Sequence, residues 1–196
     1  MKNRGAIIIL FFLAVSFSIL SFIPPEQQLG SWIRLIIFHG ILSIAGLYTI
    51  YAAGILSLVG LVLGKEKLLL WARELGLISV FVWFVGTALS FISMQVAWGA
   101  IKLDEPRTVA AVTMVALGFG KEYLIRDAAL KIKSWGNMIF AAMVIPIRYV
   151  LEYGMHPENP IGRSDSAAIR FFPMLMLAFT LLIIFEFSRW RLSQRG

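Results

Sequence analysis

Hydrophobic positions in this chain come in long, nearly unbroken runs, and polar positions gather in the gaps between them. Six runs stand out: Ala6–Ile23, Ile36–Leu63, Leu75–Ala97, Thr108–Ile125, Asn137–Met155 and Ala167–Phe187. About 20 apolar residues are enough for a helix to cross the hydrocarbon of a bilayer. The pattern therefore predicts an all-α membrane protein, a bundle of six transmembrane helices in a lipid bilayer that forms one polytopic domain over residues 1–196. The second run exceeds what a perpendicular crossing needs, which implies tilt or an interfacial first turn. No gap is long enough to hold a soluble module.

Composition agrees with this pattern. Of the 196 residues, 59% are hydrophobic and only 15% are charged, and the mean hydropathy is +0.83. The formal net charge of +7 sorts by side of the membrane. Lys2, Arg4, Lys65, Lys67, Arg73, Lys121, Arg126, Lys131, Lys133, Arg189, Arg191 and Arg195 fall on one side, and Arg34, Lys102, Arg107, Arg163 and Arg170 on the other. Cytoplasmic loops carry the excess of Lys and Arg, so both termini are expected in the cytoplasm and the chain in the plasma (inner) membrane. The charge is thus a topology signal rather than a mark of nucleic-acid binding, and no nucleic-acid partner is expected. Trp71, Trp135 and Trp190 mark the inner interface, and Trp32 and Trp98 the outer one. The basic Met1–Arg4 start resembles a signal peptide, but the apolar run after it outlasts an h-region and ends at Phe22-Ile23-Pro24-Pro25 without a small-x-small site. It is read as a membrane helix. In the second run, Gly40, Gly46, Gly54, Gly60 and Gly64 read as positions of close helix packing.

The chain has no cysteine, which excludes covalent haem attachment, thiol–disulfide exchange and thiolate-held iron–sulfur clusters. Gly118-Phe119-Gly120-Lys121 is too short for a phosphate loop, and two histidines 117 positions apart do not suit zinc.

Those two histidines, His39 and His156, carry the most chemistry. Each lies at the outer end of a different apolar run, at similar depth. Ionisable side chains in membrane segments are rare and usually kept for a partner. Taken alone, His39 also reads as an interfacial imidazole bonded to a backbone carbonyl, and His156 as a loop residue. Taken together, they suit a flat ligand held between two imidazoles, such as haem with two axial histidines. Arg148, Glu152 and His156 are spaced by four and share a helix face. Glu152 either pairs with Arg148 across helices, the larger expectation, or accepts a hydrogen bond from His156 and orients it. Pro146 should kink this helix. At the wet edge, Arg34, Arg107, Arg163 and Arg170 offer planar guanidinium groups for ligand carboxylates. Each alone reads as an interface arginine, and Arg170 is the best candidate because it lies inside an apolar run.

The stretch from Pro24 to His39, with Pro24-Pro25, Gln27-Gln28, Gly30, Arg34 and the histidine, resembles the first external segment of the cytochrome c maturation haem handlers. This is the haem exporter protein C family of WWD-domain proteins. The resemblance continues through Trp98-Gly99, Glu105-Pro106-Arg107, Val144–Ile147 and His156, covering roughly Pro24 to Pro160. It implies six spans and a bis-histidine outer haem site at His39 and His156, with a tryptophan-rich segment around Trp98 that presents the haem to a chaperone. The chain departs from that pattern after Gly99, where Ala100-Ile101-Lys102-Leu103-Asp104 replaces the tryptophans, and after His39, where Gly40-Ile41-Leu42-Ser43 replaces the usual proline and tryptophan.

Two functions follow as expectations. One is non-covalent binding of haem b at the outer face and its transfer to a haem chaperone or another cytochrome c maturation membrane protein, without enzymatic chemistry. The other is a membrane subunit of a redox complex that holds a fixed b-type haem. A single bis-histidine pair holds one haem, too few to carry electrons across the bilayer, and this favours handling.

Overall fold

A computed structural model describes residues 2–152 and 165–194. Six helices account for nearly all of them: α1 Lys2–Phe22, α2 Ile33–Leu63, α3 Glu66–Trp98, α4 Pro106–Leu124, α5 Leu130–Glu152 and α6 Ala167–Ser193. Four of the six, α1, α2, α3 and α6, are long and apolar enough to cross a membrane. Among the described residues, α4 and α5 fall short of that measure. Thr108, Thr113, Lys121 and Glu122 dilute α4, and Lys131, Lys133, Ser134 and Asn137 dilute α5.

Helix boundaries follow local chemistry. Pro24 and Pro25 stop α1. The connection to α2 is a tight turn in which the Glu26 carboxylate accepts from the N–H groups of Gln28 and Leu29, both at 2.9 Å. Gly30 reverses the chain there at φ 53°. Gly64 ends α2 in the left-handed conformation (φ 62°), and the Lys65 N–H reaches back to the Gly60 carbonyl at 3.0 Å, as expected of a glycine-terminated helix. At α4, Pro106 sits in the first turn and the Glu105 side chain caps the Thr108 N–H at 2.8 Å. Helix α3 begins nine residues before its apolar run because Glu66–Glu74, though charged at both ends, is made mostly of good helix formers. Helix α6 runs on through Arg189 and Arg191 for the same reason. Helix α5 continues through Pro146, and α6 through Pro173.

The helices run up and down. Helices α2 and α3 form the tightest pair, an antiparallel hairpin. A side chain at Gly46 would meet the Trp83 backbone at 3.1 Å, and one at Gly86 would meet Ser43 Oγ at 3.0 Å and the His39 carbonyl at 3.4 Å. Gly46, Gly54 and Gly60 are therefore close-packing positions, as their sequence pattern predicted, whereas Gly40 and Gly64 face open space. The central core joins Ile50, Val80, Trp83, Met114, Phe140 and Val144 from α2 to α5. The Trp83 indole N–H donates to the Ala111 carbonyl of α4 at 3.1 Å. Helix α1 lies along α6, with Gly5 against Trp190, Phe12 against Phe179 and Phe22 near Phe172. It meets α2 near its outer end, where Ile19 and Ile23 pack on Ile37 and Ile41. Exposed Ile7, Leu10, Phe11 and Phe17 give α1 an apolar outer face, which suits lipid rather than water.

This arrangement gives the bundle two ends. Residues near 5, 65, 121–137 and 190 gather at the end carrying both termini. Residues near 23–39, 93–108 and 166–172 gather at the other.

Candidate functional site

His39 lies on the seventh residue of α2, nearly two turns in, because the helix begins at Ile33 rather than Ile36. It is half-buried, and its ring nitrogen Nδ1 stands 3.2 Å from Ser93 Oγ on α3. The hairpin register produces this contact. Ser93 is one residue before Met94, whose sulfur lies 3.5 Å from Thr108 Oγ1. Glu105 Oε2 accepts from the Thr108 N–H at 2.8 Å and lies 3.2 Å from the hydroxyl, whose one proton goes either to it or to the Met94 sulfur. At this end α2 meets α3 through His39 and Ser93, and α3 meets α4 through Met94 and Thr108.

The other predicted site residues divide. Arg34 sits in the first turn of α2 and donates Nε to the Ile23 carbonyl at 3.0 Å, so that nitrogen ties α2 to the end of α1. Trp98 is the last residue of α3 and is half-buried. Arg107, the second residue of α4, is half-buried, and its Nε is buried with no hydrogen-bond partner among the described residues. Arg170 is exposed in the first turn of α6. His156 and Arg163 lie outside the described residues. So do the side chains of Arg148 and Glu152, although their backbone is in the last turns of α5. The structure therefore joins His39 to Ser93 of α3 and does not test the pairing of the two histidines.

An orphaned, buried Nε is unusual, since an unmet buried donor costs about 1–3 kcal/mol. A carboxylate-bearing ligand would satisfy it through a charge-assisted bond. This end thus holds an imidazole whose Nδ1 lies against a hydroxyl and a guanidinium whose Nε is buried with no hydrogen-bond partner among the described residues. Among the described residues no three metal-binding side chains converge. A small cavity of about 150 Å³ lies between α1, α2, α3 and α6, lined by Phe17, Leu20, Phe38, Leu42 and Met176 among others. It is well below the roughly 300–1,000 Å³ of pockets that enclose a drug-sized ligand, so it is a packing gap and not the site.

The opposite end holds polar groups that sequence reasoning missed. Glu74, 0% exposed, accepts from Arg191 Nε of α6 at 2.7 Å. Asn137 of α5, 3% exposed, donates to the Ala72 carbonyl of α3 at 2.9 Å and accepts from Lys121 Nζ of α4 at 2.6 Å. Lys121 also pairs with Glu122 at 2.6 Å. Glu186 pairs with Arg189 one turn on in α6 at 2.6 Å. A carboxylate just outside an apolar run gives no signal in hydropathy, so Glu74 is visible only once α3 extends past it.

No protein-family model matches the chain, and no curated protein matches it.

Proposed function

We propose that the chain is a six-span protein of the inner membrane, with both termini in the cytoplasm, that binds haem b non-covalently at its outer face. In this reading it passes the haem to a chaperone or another membrane protein of cytochrome c maturation, as the resemblance between Pro24 and His156 implies. The observation that carries the reading is His39, an imidazole at the end opposite the termini, with its Nδ1 against a hydroxyl on a neighbouring helix. Ligating histidines are commonly held by the second ring nitrogen in this way. Bound haem supplies an iron with two axial positions, which His39 and His156 would fill. Arg107 would meet a propionate, and Trp98 would border the site. No bond in the ligand is made or broken, so the residues here bind, orient and release.

The test is an absorption spectrum of the purified protein, followed by haem loss to apomyoglobin. Handling predicts a six-coordinate spectrum and rapid loss, whereas retention over hours would point to a fixed b-type centre. His39→Ala and His156→Ala should each lower haem content. An unchanged six-coordinate spectrum in both would sink the ligand assignment. For topology, a reporter active only in the cytoplasm should work when fused after Gly196 and fail when fused after Asp104, and the reverse would overturn the outward placement.

A further inference from the structure

We propose that Ser93 is a positioning residue, whose hydroxyl accepts a hydrogen bond from Nδ1–H of His39 and so fixes the imidazole in the tautomer that carries its lone pair on Nε2. The argument is a count of protons. A serine hydroxyl has one hydrogen to donate and two lone pairs to accept with. Ser93 Oγ lies 3.0 Å from the Leu89 carbonyl, one turn back in α3, and 3.2 Å from His39 Nδ1. Both cannot take the same proton.

The rest of the chain indicates where that proton goes. Most helical hydroxyls among the described residues donate to a carbonyl three or four residues earlier, for example Ser43 to His39 at 3.0 Å, Thr49 to Ala45 at 2.7 Å, Ser79 to Gly76 at 2.8 Å and Ser188 to Ile184 at 2.8 Å. Such back-bonding is the usual habit of Ser and Thr inside helices. With the Ser93 proton on Leu89, a lone pair faces His39, and Nδ1 must be the donor. Ser93 is only 4% exposed, so little water competes for that lone pair. Which ring nitrogen is protonated is set by the bond that the other nitrogen makes.

The contact depends on the α2–α3 spacing. Gly86 lies two helical turns before Ser93 on α3 and lets the His39–Ser43 turn approach, since a Cβ there would press on Ser43 and the His39 carbonyl. Hydroxyl and imidazole are thus brought within 3.2 Å by two antiparallel helices rather than by a loop. The tautomer is argued from the Ser93 contact, while its consequence for haem rests on the function proposed above.

The experiment exploits the presence of only two histidines. Haem-free protein labelled with nitrogen-15 histidine is studied by NMR in bilayers or detergent at mildly alkaline pH, where a free imidazole is neutral. His156→Gln leaves the His39 signals alone. The expected result is a protonated Nδ1 and an unprotonated Nε2. Ser93→Ala should move His39 toward the Nε2–H form that neutral imidazoles favour in water, and Ser93→Thr, which restores a hydroxyl, should hold the original form. A wild-type His39 in the Nε2–H or doubly protonated form would overturn the proposal, as would a spectrum indifferent to Ser93→Ala.

A second readout separates this inference from the haem reading. Haem retention should fall about 10–100-fold in Ser93→Ala, the usual loss when a residue that orients a metal ligand is removed, and should be largely kept in Ser93→Thr. If the tautomer behaves as expected but neither wild type nor variants take up haem, the haem reading fails and Ser93 stands. Equal haem retention in wild type and Ser93→Ala, with His39 bound, would overturn the positioning role.

Discussion

The two ends of the bundle are built from similar residue types used in opposite ways. At the end carrying the termini, buried polar groups meet one another across helices: Glu74 with Arg191, and Asn137 with both Ala72 and Lys121. Together these contacts lock α3, α4, α5 and α6. At the far end His39 meets Ser93, Glu105 caps the Thr108 N–H, and Arg107 Nε has no partner among the described residues. The first end spends its polarity on holding helices together. The second carries an imidazole against a single hydroxyl and a guanidinium whose Nε meets no described partner. Charge content alone does not separate a clamp from a site, whereas the way hydrogen bonds close does.

The largest expected effect breaks the clamp. Arg191→Leu takes the Arg191 partner from a carboxylate whose side chain is 1% exposed and should lower stability by about 3–5 kcal/mol, read as unfolding in detergent. Haem retained per folded molecule should stay at the wild-type level, and a parallel loss of haem would show that the two ends are not independent. Asn137→Ala removes a bridge between three helices and should cost about 1–3 kcal/mol by the same assay, again without touching haem.

Gly86→Ala attacks the other end. Overpacking the hairpin where a Cβ would lie 3.0 Å from Ser43 Oγ should cost about 1–3 kcal/mol. Unlike the clamp variants, it should also lower haem retention by moving His39 away from Ser93. The smallest stability effect belongs to Arg107→Met. Removing a buried donor with no partner should leave the haem-free protein within about 0.5 kcal/mol of wild type, or slightly more stable, while haem titration shows weaker binding. A clear loss of stability without haem would place Arg107 in the clamp class.

Apolar runs made the helices legible, because crossing hydrocarbon demands them. Hydropathy stops at a charge while a helix need not, and so α3 was read as beginning at Leu75 when Glu66–Glu74 already belong to it. In α4 and α5, Lys121 and Asn137 point inward at the clamp and lower the apolar score of helices that still pack in the bundle. His39 was conspicuous as one of two histidines. Ser93 was not, because a hydroxyl in a helix is ordinary and its partner is 54 positions away, fixed only by the register of α2 on α3. Arg34 was legible as an outward arginine, but its tie to Ile23 depends on the turn geometry around Gly30. The pairing of His39 with His156 lies beyond the described residues.

The seating of α1 along α6 has a consequence for synthesis. A chain emerges from the ribosome in order, so the first helix made has to wait for the last before Phe12 and Phe22 find Phe179 and Phe172. Meanwhile α2 and α3, joined by a two-residue turn, can pair as soon as both exist, because contacts between near neighbours form first. A ribosome that stops short of Ala167 therefore releases a molecule with its hairpin formed and one side of its first helix bare. Such a surface is what quality-control proteases and chaperones can recognise, and docking of α6 is the step that covers it.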